Sequence, residues 1–430
     1  MLRNVFLLFL MALTFSQCAA QTKAGTPTKQ AQAIQPAAER TGAYLPLLKG
    51  KKVAVFANQT STVGDKHLVD VLKQNGVTIK VIFGPEHGFR GTADAGEKVE
   101  NTVDKATGVP VVSLYGKKRV PSKEDLEGVD VMLFDIQDVG VRFYTYISSL
   151  QEYMETAIKY NIPLLVLDRP NPNGHYIDGP VLEPKYKSFV GMQPVPVVYG
   201  MTMGEYARMI LEEGWLSKEA MDAYTQNVLA ATYPPGAKYF GLTVIPNGNY
   251  THKSMYVLPV KPSPNLPDAQ SIYWYPSTCF FEGTVLSEGR GTDHPFQIFG
   301  HPSLPKNLYK FTPTSREGAK EPKLKNQVCY GWNVHGPVSE VLKKVDNKLQ
   351  LSYLLQAYKL FPNKESFFLI SKKENIQPTD YFFNKLAGNA TLMQQIKEGK
   401  TEAEIRKSWE PKLAEFKAIR KKYLLYPDFE

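Results

Sequence analysis

The sequence predicts an α/β protein with a parallel β-sheet in a first domain, followed by a smaller C-terminal domain of α/β or α+β type. Short apolar segments alternate with segments of helical periodicity from residue 52 onward. The apolar segments are continuous, which is typical of strands buried on both faces of a parallel sheet. A proline-rich passage at 259–267 then separates this alternating region from a C-terminal region with fewer strand signals.

The first domain is predicted to contain strands at 53–56, 79–83, 111–114, 129–134 and 164–167. Helical spacing between these segments predicts helices at 66–75 and 148–160. Thr202 and Glu205 have the spacing of a capping box, which predicts a further helix from there to about residue 213. Strands that alternate with helices form βαβ units, and such units build a parallel sheet.

The chain is predicted to divide at the proline-rich passage. Residues 42–258 form the catalytic domain in this interpretation, and residues 259–430 form an ancillary domain. The ancillary domain is predicted to hold a helix near 349–360 and helices between 401 and 423, with Pro411 just inside the second of these. Residues 21–41, which are rich in Ala, Gln, Thr and Lys, are predicted to be a flexible leader.

Residues 1–20 have the composition of a signal peptide. Arg3 precedes an apolar run at 5–15, and small residues follow Cys18 at the end of the segment. The run of about eleven residues is too short to span a bilayer, which takes about 20. We therefore predict an exported protein, periplasmic or extracellular, without an integral membrane segment after cleavage. Lipid anchoring through Cys18 is the alternative.

The positive charge of the chain does not indicate nucleic-acid binding. The formal net charge is +9 and the pI is about 9.0. However, the sequence contains no long run of Lys or Arg, and acidic residues are interleaved throughout. This pattern is typical of a mixed, solvated surface, so no nucleic-acid partner is expected.

The sequence lacks the motifs of common cofactors and nucleophiles. No G-x-G-x-x-G follows the first predicted strand and no P-loop motif occurs, which argues against dinucleotide and nucleotide binding. The absence of G-x-S-x-G argues against an α/β-hydrolase serine. The histidines form no H-E-x-x-H motif, and Cys279 and Cys329 lack metal-ligand spacing. We therefore expect no cofactor and no metal, with zinc bound by scattered histidines as a minor alternative.

Polar and charged residues follow four of the predicted strands, at the edge where ligands bind in open parallel sheets. Helix capping and turn formation are the alternative interpretation, and they explain Asn171 well. They explain Glu86 and His87 poorly, because a proline and two nearby glycines hold this pair in a tight loop. The candidate site residues at these strand ends are Asn58, Glu86, His87, Arg90, Asp135, Gln137, Asp138, Arg142, Asp168, Arg169 and Asn171.

Aromatic residues near these loops suit a carbohydrate ligand. Tyr144 and Tyr146 follow the fourth predicted strand, and three further aromatic residues lie at 273–275. Tyrosine and tryptophan can stack on sugar rings, although burial in the core is expected for at least half of this set.

Four motifs, at 85–91, 135–146, 168–172 and 287–292, occur in order along the chain. In this combination the sequence resembles the exo-β-N-acetylmuramidase family, from about Leu45 to the C-terminus. The resemblance implies a Rossmann-like first domain, a smaller second domain and an active site in the cleft between them. It also implies hydrolytic removal of N-acetylmuramic acid from the non-reducing end of peptidoglycan fragments.

Glycoside hydrolysis requires a proton donor for the leaving oxygen, and most such enzymes use a second carboxylate. We predict Glu86 as the general acid and Asp135 or Asp138 as the second carboxylate. The 2-acetamido group of the substrate is an alternative nucleophile, so inversion, retention and substrate assistance all stay open. The predicted substrate-binding residues are Asn58, His87, Arg90, Gln137, Arg142, Tyr144, Tyr146, Asp168, Arg169, Asn171, Glu288 and Arg290.

The second domain is expected to contribute to the cleft through the motif at 287–292. Gly289 and Gly291 would let the backbone approach a ligand closely, and an ordinary glycine turn is the alternative. At least one of the arginines in the candidate loops is expected to bind the lactyl carboxylate of muramic acid. Two other functions compete with the glycosidase: a non-catalytic module that binds cell-wall glycans, and an exported wall amidase or esterase.

Overall fold

The computed structural model describes residues 32–85, 88–89, 101–229, 239–370 and 374–430. The strands in these ranges are, in chain order, β1 (Lys52–Ala57), β2 (Thr62–Val63), β3 (Lys66–His67), β4 (Thr78–Gly84), β5 (Thr102–Val103), β6 (Pro110–Ser113), β7 (Val131–Asp135), β8 (Leu164–Leu167), β9 (Leu242–Ile245), β10 (Ile298–His301), β11 (Tyr309–Phe311) and β12 (Cys329–Asn333).

The α-helices are α1 (Thr41–Leu48), α2 (Leu68–Gln74), α3 (Tyr146–Lys159), α4 (Met203–Glu212), α5 (Lys218–Leu229), α6 (Ala269–Thr278), α7 (Val338–Val345), α8 (Ser352–Leu360), α9 (Phe382–Ala387), α10 (Thr391–Lys397) and α11 (Glu402–Arg420). Short 3-10 helices occur at Ala37–Glu39, Pro184–Tyr186, Cys279–Gly283, Lys364–Ser366 and Pro378–Asp380.

A seven-stranded sheet with the order β5-β6-β4-β1-β7-β8-β9 forms the centre of the N-terminal region. Its neighbouring strands are parallel, except that β5 is antiparallel to β6. Side chains alternate between two apolar layers: Ala54 and Phe56 pack on one face of the sheet, and Val53 and Val55 on the other. Both faces are therefore buried, as the continuous apolar segments predicted, and the α/β fold class is confirmed.

The strand order reverses direction next to β1. From β1 the chain proceeds through β4 to β6 on one side, and β7, β8 and β9 lie on the other. In open α/β sheets, the crevice at such a switch point lies outside the carboxyl ends of the two central strands. Residues that follow β1 and β7 are therefore at the position where this fold class most often binds ligands.

The predicted capping box at the start of α4 is confirmed. The Thr202 hydroxyl accepts a hydrogen bond from the Glu205 amide, and the Glu205 carboxylate accepts one from the Thr202 amide. These bonds satisfy two backbone N–H groups that a helix start would otherwise leave unpaired.

The C-terminal region is built from the antiparallel sheet β10-β12-β11 and helices α6 to α11 around its own apolar core. The prediction of two helices between 401 and 423 was wrong, because α11 continues through Pro411. Ile405 and Trp409 pack into the C-terminal core, whereas Phe416 packs into the N-terminal one. Burial of each such side chain contributes about 1.5–3 kcal/mol, which together offset the roughly 3 kcal/mol cost of an internal proline.

The end of the chain returns to the N-terminal region. The Tyr426 hydroxyl donates a 2.5 Å hydrogen bond to the Asp168 carboxylate, and the Leu425 amide donates to Glu205. Residues 34–430 accordingly form one compact unit. The domain boundary between 258 and 259 stays a prediction.

Cys279 and Cys329 are both buried free thiols. Among the described residues, no helix is sufficiently long and apolar to cross a membrane.

Candidate active site

Asn58 connects the end of β1 to the start of α3. Its amide nitrogen donates a 2.9 Å hydrogen bond to the Tyr146 hydroxyl, and its amide oxygen accepts from the backbone and side chain of Thr60. Asn58 itself is fully buried. The side chain therefore positions Tyr146, and through it the loop that precedes α3.

Asp135 and Arg169 form a buried ion pair at the ends of β7 and β8. The Arg169 guanidinium donates to both Asp135 oxygens, at 2.6 and 2.8 Å, and also to the Thr62 carbonyl. Neither side chain is more than 2% exposed. This bidentate pair holds two strand ends together, and its geometry leaves Asp135 without access to a ligand.

Asp138, the other predicted second carboxylate, is also enclosed. One carboxylate oxygen accepts hydrogen bonds from the Gly140 amide and the Tyr199 hydroxyl, and the other is buried with no hydrogen-bond partner in the part of the chain that the structure describes. Burial raises the pKa of Asp138 to about 7, although the Tyr199 and Gly140 hydrogen bonds oppose that rise. The neighbouring Gln137 side chain donates to the carbonyls of Asp138 and Pro170, and therefore fixes the same loop.

Arg142 is fully buried and binds backbone rather than ligand. Its guanidinium donates to the carbonyls of Pro180, Val195 and Leu386. Since Leu386 lies in α9, this arginine joins the N-terminal region to the C-terminal one. The geometry does not support the predicted contact between Arg142 and substrate.

Asp168 and Asn171 are likewise enclosed by their own structure. The Asp168 carboxylate accepts from the Gly204 amide at the start of α4, and burial raises its pKa to about 6. The Asn171 side chain donates to the Met201 carbonyl and accepts from the Asn173 amide. Asp168 therefore caps a helix and Asn171 stabilises a turn. This agrees with the structural alternative stated for such residues in the sequence analysis, rather than with substrate binding.

The predicted general acid Glu86, together with His87 and Arg90, lies outside the described residues. Pro85 and Gly88, which flank Glu86 and His87 in the sequence, are joined by a 3.0 Å hydrogen bond from the Gly88 amide to the Pro85 carbonyl. A side chain at Gly84 would approach the Phe89 amide to 3.1 Å. The chain leaves β4 at the same edge of the sheet as Asn58, because β1 and β4 are parallel neighbours.

A cavity of about 160 Å³ lies between the segment at 143–146, which leads into α3, and residues of the range 263–296. We call it the tyrosine cavity. The Tyr144 hydroxyl donates to the Pro262 carbonyl, and the Tyr144 ring packs edge-on against Tyr146 and Tyr275, with centroids 4.9 and 5.9 Å apart. The cavity is lined by Phe143, Tyr144, Thr145, Tyr146, Val190, Ser263, Asn265, Leu266, Tyr275, Glu282, Arg290 and Phe296.

Charged side chains contribute to one part of this lining. Arg290 donates to Glu282 at 2.7 Å and lies 3.3 Å from Glu288, while its guanidinium covers the Phe296 ring. Glu282 and Arg290 are 22% and 23% exposed, whereas Glu288 is 3% exposed. Cavity walls of aromatic rings with a guanidinium and a carboxylate suit a polar ring such as a sugar that carries an acidic group.

Glu288 lies behind this pair and is bound to Lys323 at 2.8 Å. Burial acts to raise the pKa of Glu288, but Lys323 and Arg290 outweigh it and hold that pKa below its ordinary value. The carboxylate is therefore ionised, and it holds Arg290 in place rather than facing the cavity.

Gly289 and Gly291 have positive φ values of 85° and 78°. A side chain at Gly289 would lie 2.2 Å from the Ile298 carbonyl oxygen, and one at Gly291 would lie 2.4 Å from that of Thr314. The two glycines are therefore required by a turn that packs against other backbone of the same chain. This agrees with the ordinary glycine turn, which was the alternative to a close approach of the backbone to a ligand.

The cavity contains residues that sequence reasoning missed. Glu282 lies in a 3-10 helix, and no strand end or motif marks it in the sequence. Tyr275 was recognised only as part of an aromatic run, and Asn265 only as part of a proline-rich passage. Their common position depends on how α6 packs, which no local pattern reveals.

Two family models match the chain: exo-β-N-acetylmuramidase NamZ, N-terminal, at residues 53–270, and exo-β-N-acetylmuramidase NamZ, C-terminal, at residues 273–426. Together they include most of the sequence. The chain belongs to the exo-β-N-acetylmuramidase NamZ family. The resemblance predicted from the motifs is therefore confirmed.

Relatives of the NamZ family match over nearly the whole chain. A peptidoglycan β-N-acetylmuramidase of Bacillus subtilis (strain 168) is 37% identical over 407 residues, which is 89% of each chain. A solved DUF1343 family protein from Bacteroides fragilis NCTC 9343 is 43% identical with a TM-score of 0.79, over 92% of this chain and 100% of its own. A second one from the same strain is 27% identical with a TM-score of 0.70, over 91% and 99%.

The two NamZ family segments meet within α6, between residues 270 and 273. Tyr144 and Leu266 come from the first segment, and Tyr275, Glu282 and Arg290 from the second. The tyrosine cavity therefore draws its walls from both segments, as a cleft at their boundary would.

Proposed function

We propose that this protein hydrolyses the β-glycosidic bond of N-acetylmuramic acid at the non-reducing end of peptidoglycan fragments. The observation that carries the proposal is the 37% identity, over 89% of each chain, to a peptidoglycan β-N-acetylmuramidase. The position of the tyrosine cavity at the junction of the two family segments supports it further.

We assign the carboxylate roles by access to the cavity. Glu86 stays the predicted general acid. Among the described carboxylates considered for the second role, Asp135 and Asp138 are buried away from the cavity, whereas Glu282 contributes to its lining. Glu282 pairs with Arg290 and is therefore suited to act as an anion near the positive charge that develops on the sugar ring.

Arg290 is the proposed contact for the lactyl carboxylate that distinguishes muramic acid from glucosamine. Arg142 and Arg169 are buried and bound to other groups, and Arg90 lies outside the described residues. Arg290 lines the cavity and is 23% exposed. A guanidinium binds a carboxylate in a planar, bidentate way, which gives geometric selectivity as well as energy.

Product analysis with defined disaccharides tests the activity. The protein is incubated with a β-linked disaccharide that carries N-acetylmuramic acid at its non-reducing end, and with the reversed disaccharide as a control. We expect free N-acetylmuramic acid from the first and no cleavage of the second. Binding of both without cleavage would identify a non-catalytic glycan-binding module, and release of a peptide or acyl group from wall fragments would identify an amidase or esterase.

We also propose that the protein is exported, with cleavage after residue 20. The support is the charged, apolar and small-residue order of its first twenty residues. Mass spectrometry of the protein from cells tests this directly. A chain that begins at residue 21 supports cleavage, a lipid-modified Cys18 indicates an anchored form, and an intact Met1 contradicts export.

A further inference from the structure

Asp268, His294 and His335 come together beside the tyrosine cavity. One potential ligand atom from each residue lies within 4.8 Å of the others. Asp268 is the N-cap of α6, His294 lies between Arg290 and the start of β10, and His335 follows β12. Three segments that are distant in sequence therefore bring a carboxylate and two imidazoles to one point.

The Gln297 side chain fixes the orientation of two members of this cluster. Its amide nitrogen donates to both Asp268 oxygens, at 3.1 and 3.3 Å, and its amide oxygen lies 2.8 Å from His335 Nδ1. Since a carboxylate only accepts, the amide nitrogen must face Asp268, and the amide oxygen must then accept from His335. His335 Nδ1 therefore carries its proton, which leaves Nε2 with a lone pair in the neutral ring.

Metal-binding histidines in proteins are usually held in this way. The ring nitrogen that does not bind the metal donates to a carbonyl or carboxylate, which sets the tautomer and the ring orientation. Gln297 is fully buried, so this arrangement is built into the protein interior. The Asp268 carboxylate is also held, because it accepts a 2.7 Å hydrogen bond from the Ser271 amide.

His294 provides the third potential ligand. Its Nδ1 atom is buried and has no hydrogen-bond partner among the described residues. Its ring stacks on His335 with centroids 3.8 Å apart.

We propose that Asp268, His294 and His335 bind a Zn²⁺ ion. Two imidazole nitrogens and one carboxylate oxygen are ligands that Zn²⁺ accepts in tetrahedral geometry, with a fourth position left for water. Zn²⁺ bonds of about 2.0–2.2 Å place ligand atoms about 3.4 Å apart. The ligand atoms lie within 4.8 Å of one another, so binding requires the His294 ring to turn out of its stack on His335 until both lone pairs point at the ion.

Zn²⁺ at this site would stabilise the C-terminal wall of the tyrosine cavity. Leu266 lies two residues before Asp268, and Phe296 lies two residues after His294; both line the cavity. The ion would join these two segments to each other and to β12. The proposal stands independently of the glycosidase activity, because it concerns binding and stability.

The test is a Zn²⁺ titration of the protein, purified without a histidine tag and dialysed against a chelator. Calorimetry is expected to show a saturable site that is absent from H294Q and H335Q, or at least about tenfold weaker in them. Zn²⁺ should raise the Tm of the unmodified protein but not that of these variants. Co²⁺ should give the visible absorption of a tetrahedral site in the unmodified protein only.

The matched control is H301Q, since His301 is a partly buried histidine of the same region outside the cluster. This variant should bind Zn²⁺ as tightly as the unmodified protein. Circular dichroism establishes that each variant is folded. The proposal is overturned if the protein binds no Zn²⁺ saturably, or if H294Q and H335Q bind it with unchanged affinity.

Discussion

Arg290 is held between two carboxylates and an aromatic ring, with part of its guanidinium at the tyrosine cavity. An arginine fixed in this way loses little conformational freedom when it binds a ligand carboxylate. A lysine at the same position would retain the charge without the planar pair of donors.

For R290K, we expect selectivity for muramic acid over glucosamine glycosides to fall by about ten- to a hundredfold, because a charge-assisted hydrogen bond contributes about 1.5–3 kcal/mol. The measurement is kcat/KM for a matched pair of β-glycosides. R208K is the control, since Arg208 forms a partly exposed pair with Glu212 on α4, outside the cavity lining. An equal loss on both substrates in R290K would place lactyl recognition elsewhere.

Glu282 and Glu288 contact the same arginine but differ in exposure. Substitution of Glu282 should therefore affect activity, whereas substitution of Glu288 should affect stability. E282Q removes a negative charge from the cavity lining, so kcat/KM on the muramic acid disaccharide should fall by about 10²-fold or more. E288Q leaves Lys323 with a weaker partner and should mainly lower the Tm. Steady-state kinetics and thermal unfolding of both variants check this. Turnover by E282Q at the wild-type rate would show that Glu282 has no role in catalysis.

Asp138 should make folding stability depend on pH. Its pKa is raised to about 7 by burial, against about 3.9 in an unfolded chain. The folded state therefore binds the proton more tightly, and this contribution to stability is present below about pH 4 and is lost as the pH rises to about 7.

D138N removes this titration. The free energy of unfolding of D138N minus that of wild type should accordingly be larger at pH 8 than at pH 5, by about 1 kcal/mol or more, because only wild type loses stability over this range. Urea unfolding at the two pH values measures this difference. D65N, at an exposed aspartate in the β2–β3 turn, is the control. A pH-independent difference for D138N would contradict the argument.

Among the elements, α11 has an internal proline, which has no N–H and therefore removes one helical hydrogen bond. Pro411 is exposed, so an alanine there meets no packing restriction. P411A should therefore stabilise the protein by about 1–3 kcal/mol in urea unfolding. E410A, at the exposed neighbour, should change stability by less than about 0.5 kcal/mol. A destabilised P411A would show that the proline fits a bend that the packing requires.

Element types could be predicted from sequence where the apolar pattern was continuous, as in β1, β4 and β8. The single helix α11 could not, because its continuity depends on burial of Trp409 and Phe416 in two different cores. Site residues were harder to predict. Arg142 and Asp168 have the chemistry of ligand contacts, and only the fold reveals that Arg142 donates to backbone carbonyls and that Asp168 accepts from Tyr426.

Contacts between distant parts of the chain could not be predicted from the apolar pattern, although the element types could. Asp268, His294 and His335 match no metal motif because three separate segments supply them. The positions of Glu282 and Tyr275 on one cavity depend similarly on the packing of α6. Sequence periodicity reports which face of an element is buried, but not what that face meets.

At the scale of the whole molecule, the two family segments share structural supports. α11 packs into both cores, and Arg142 binds the carbonyl of Leu386 across the boundary. We therefore expect calorimetry to record a single unfolding transition, with equal calorimetric and van't Hoff enthalpies. Two resolved transitions would show that the segments unfold independently.

The bond from Tyr426 to Asp168 joins residues that are 258 positions apart. At roughly 5–20 residues per second, a ribosome needs about 13–50 s to make the chain between them. Until then, the Asp168 carboxylate at the end of β8 lacks its Tyr426 partner, and Phe416 of α11 has not packed into the N-terminal core. A nascent chain in this state cannot complete its fold until its C-terminus has been made. This delay keeps the chain unfolded for longer, which suits the proposed export, because an unfolded chain can pass through a membrane pore.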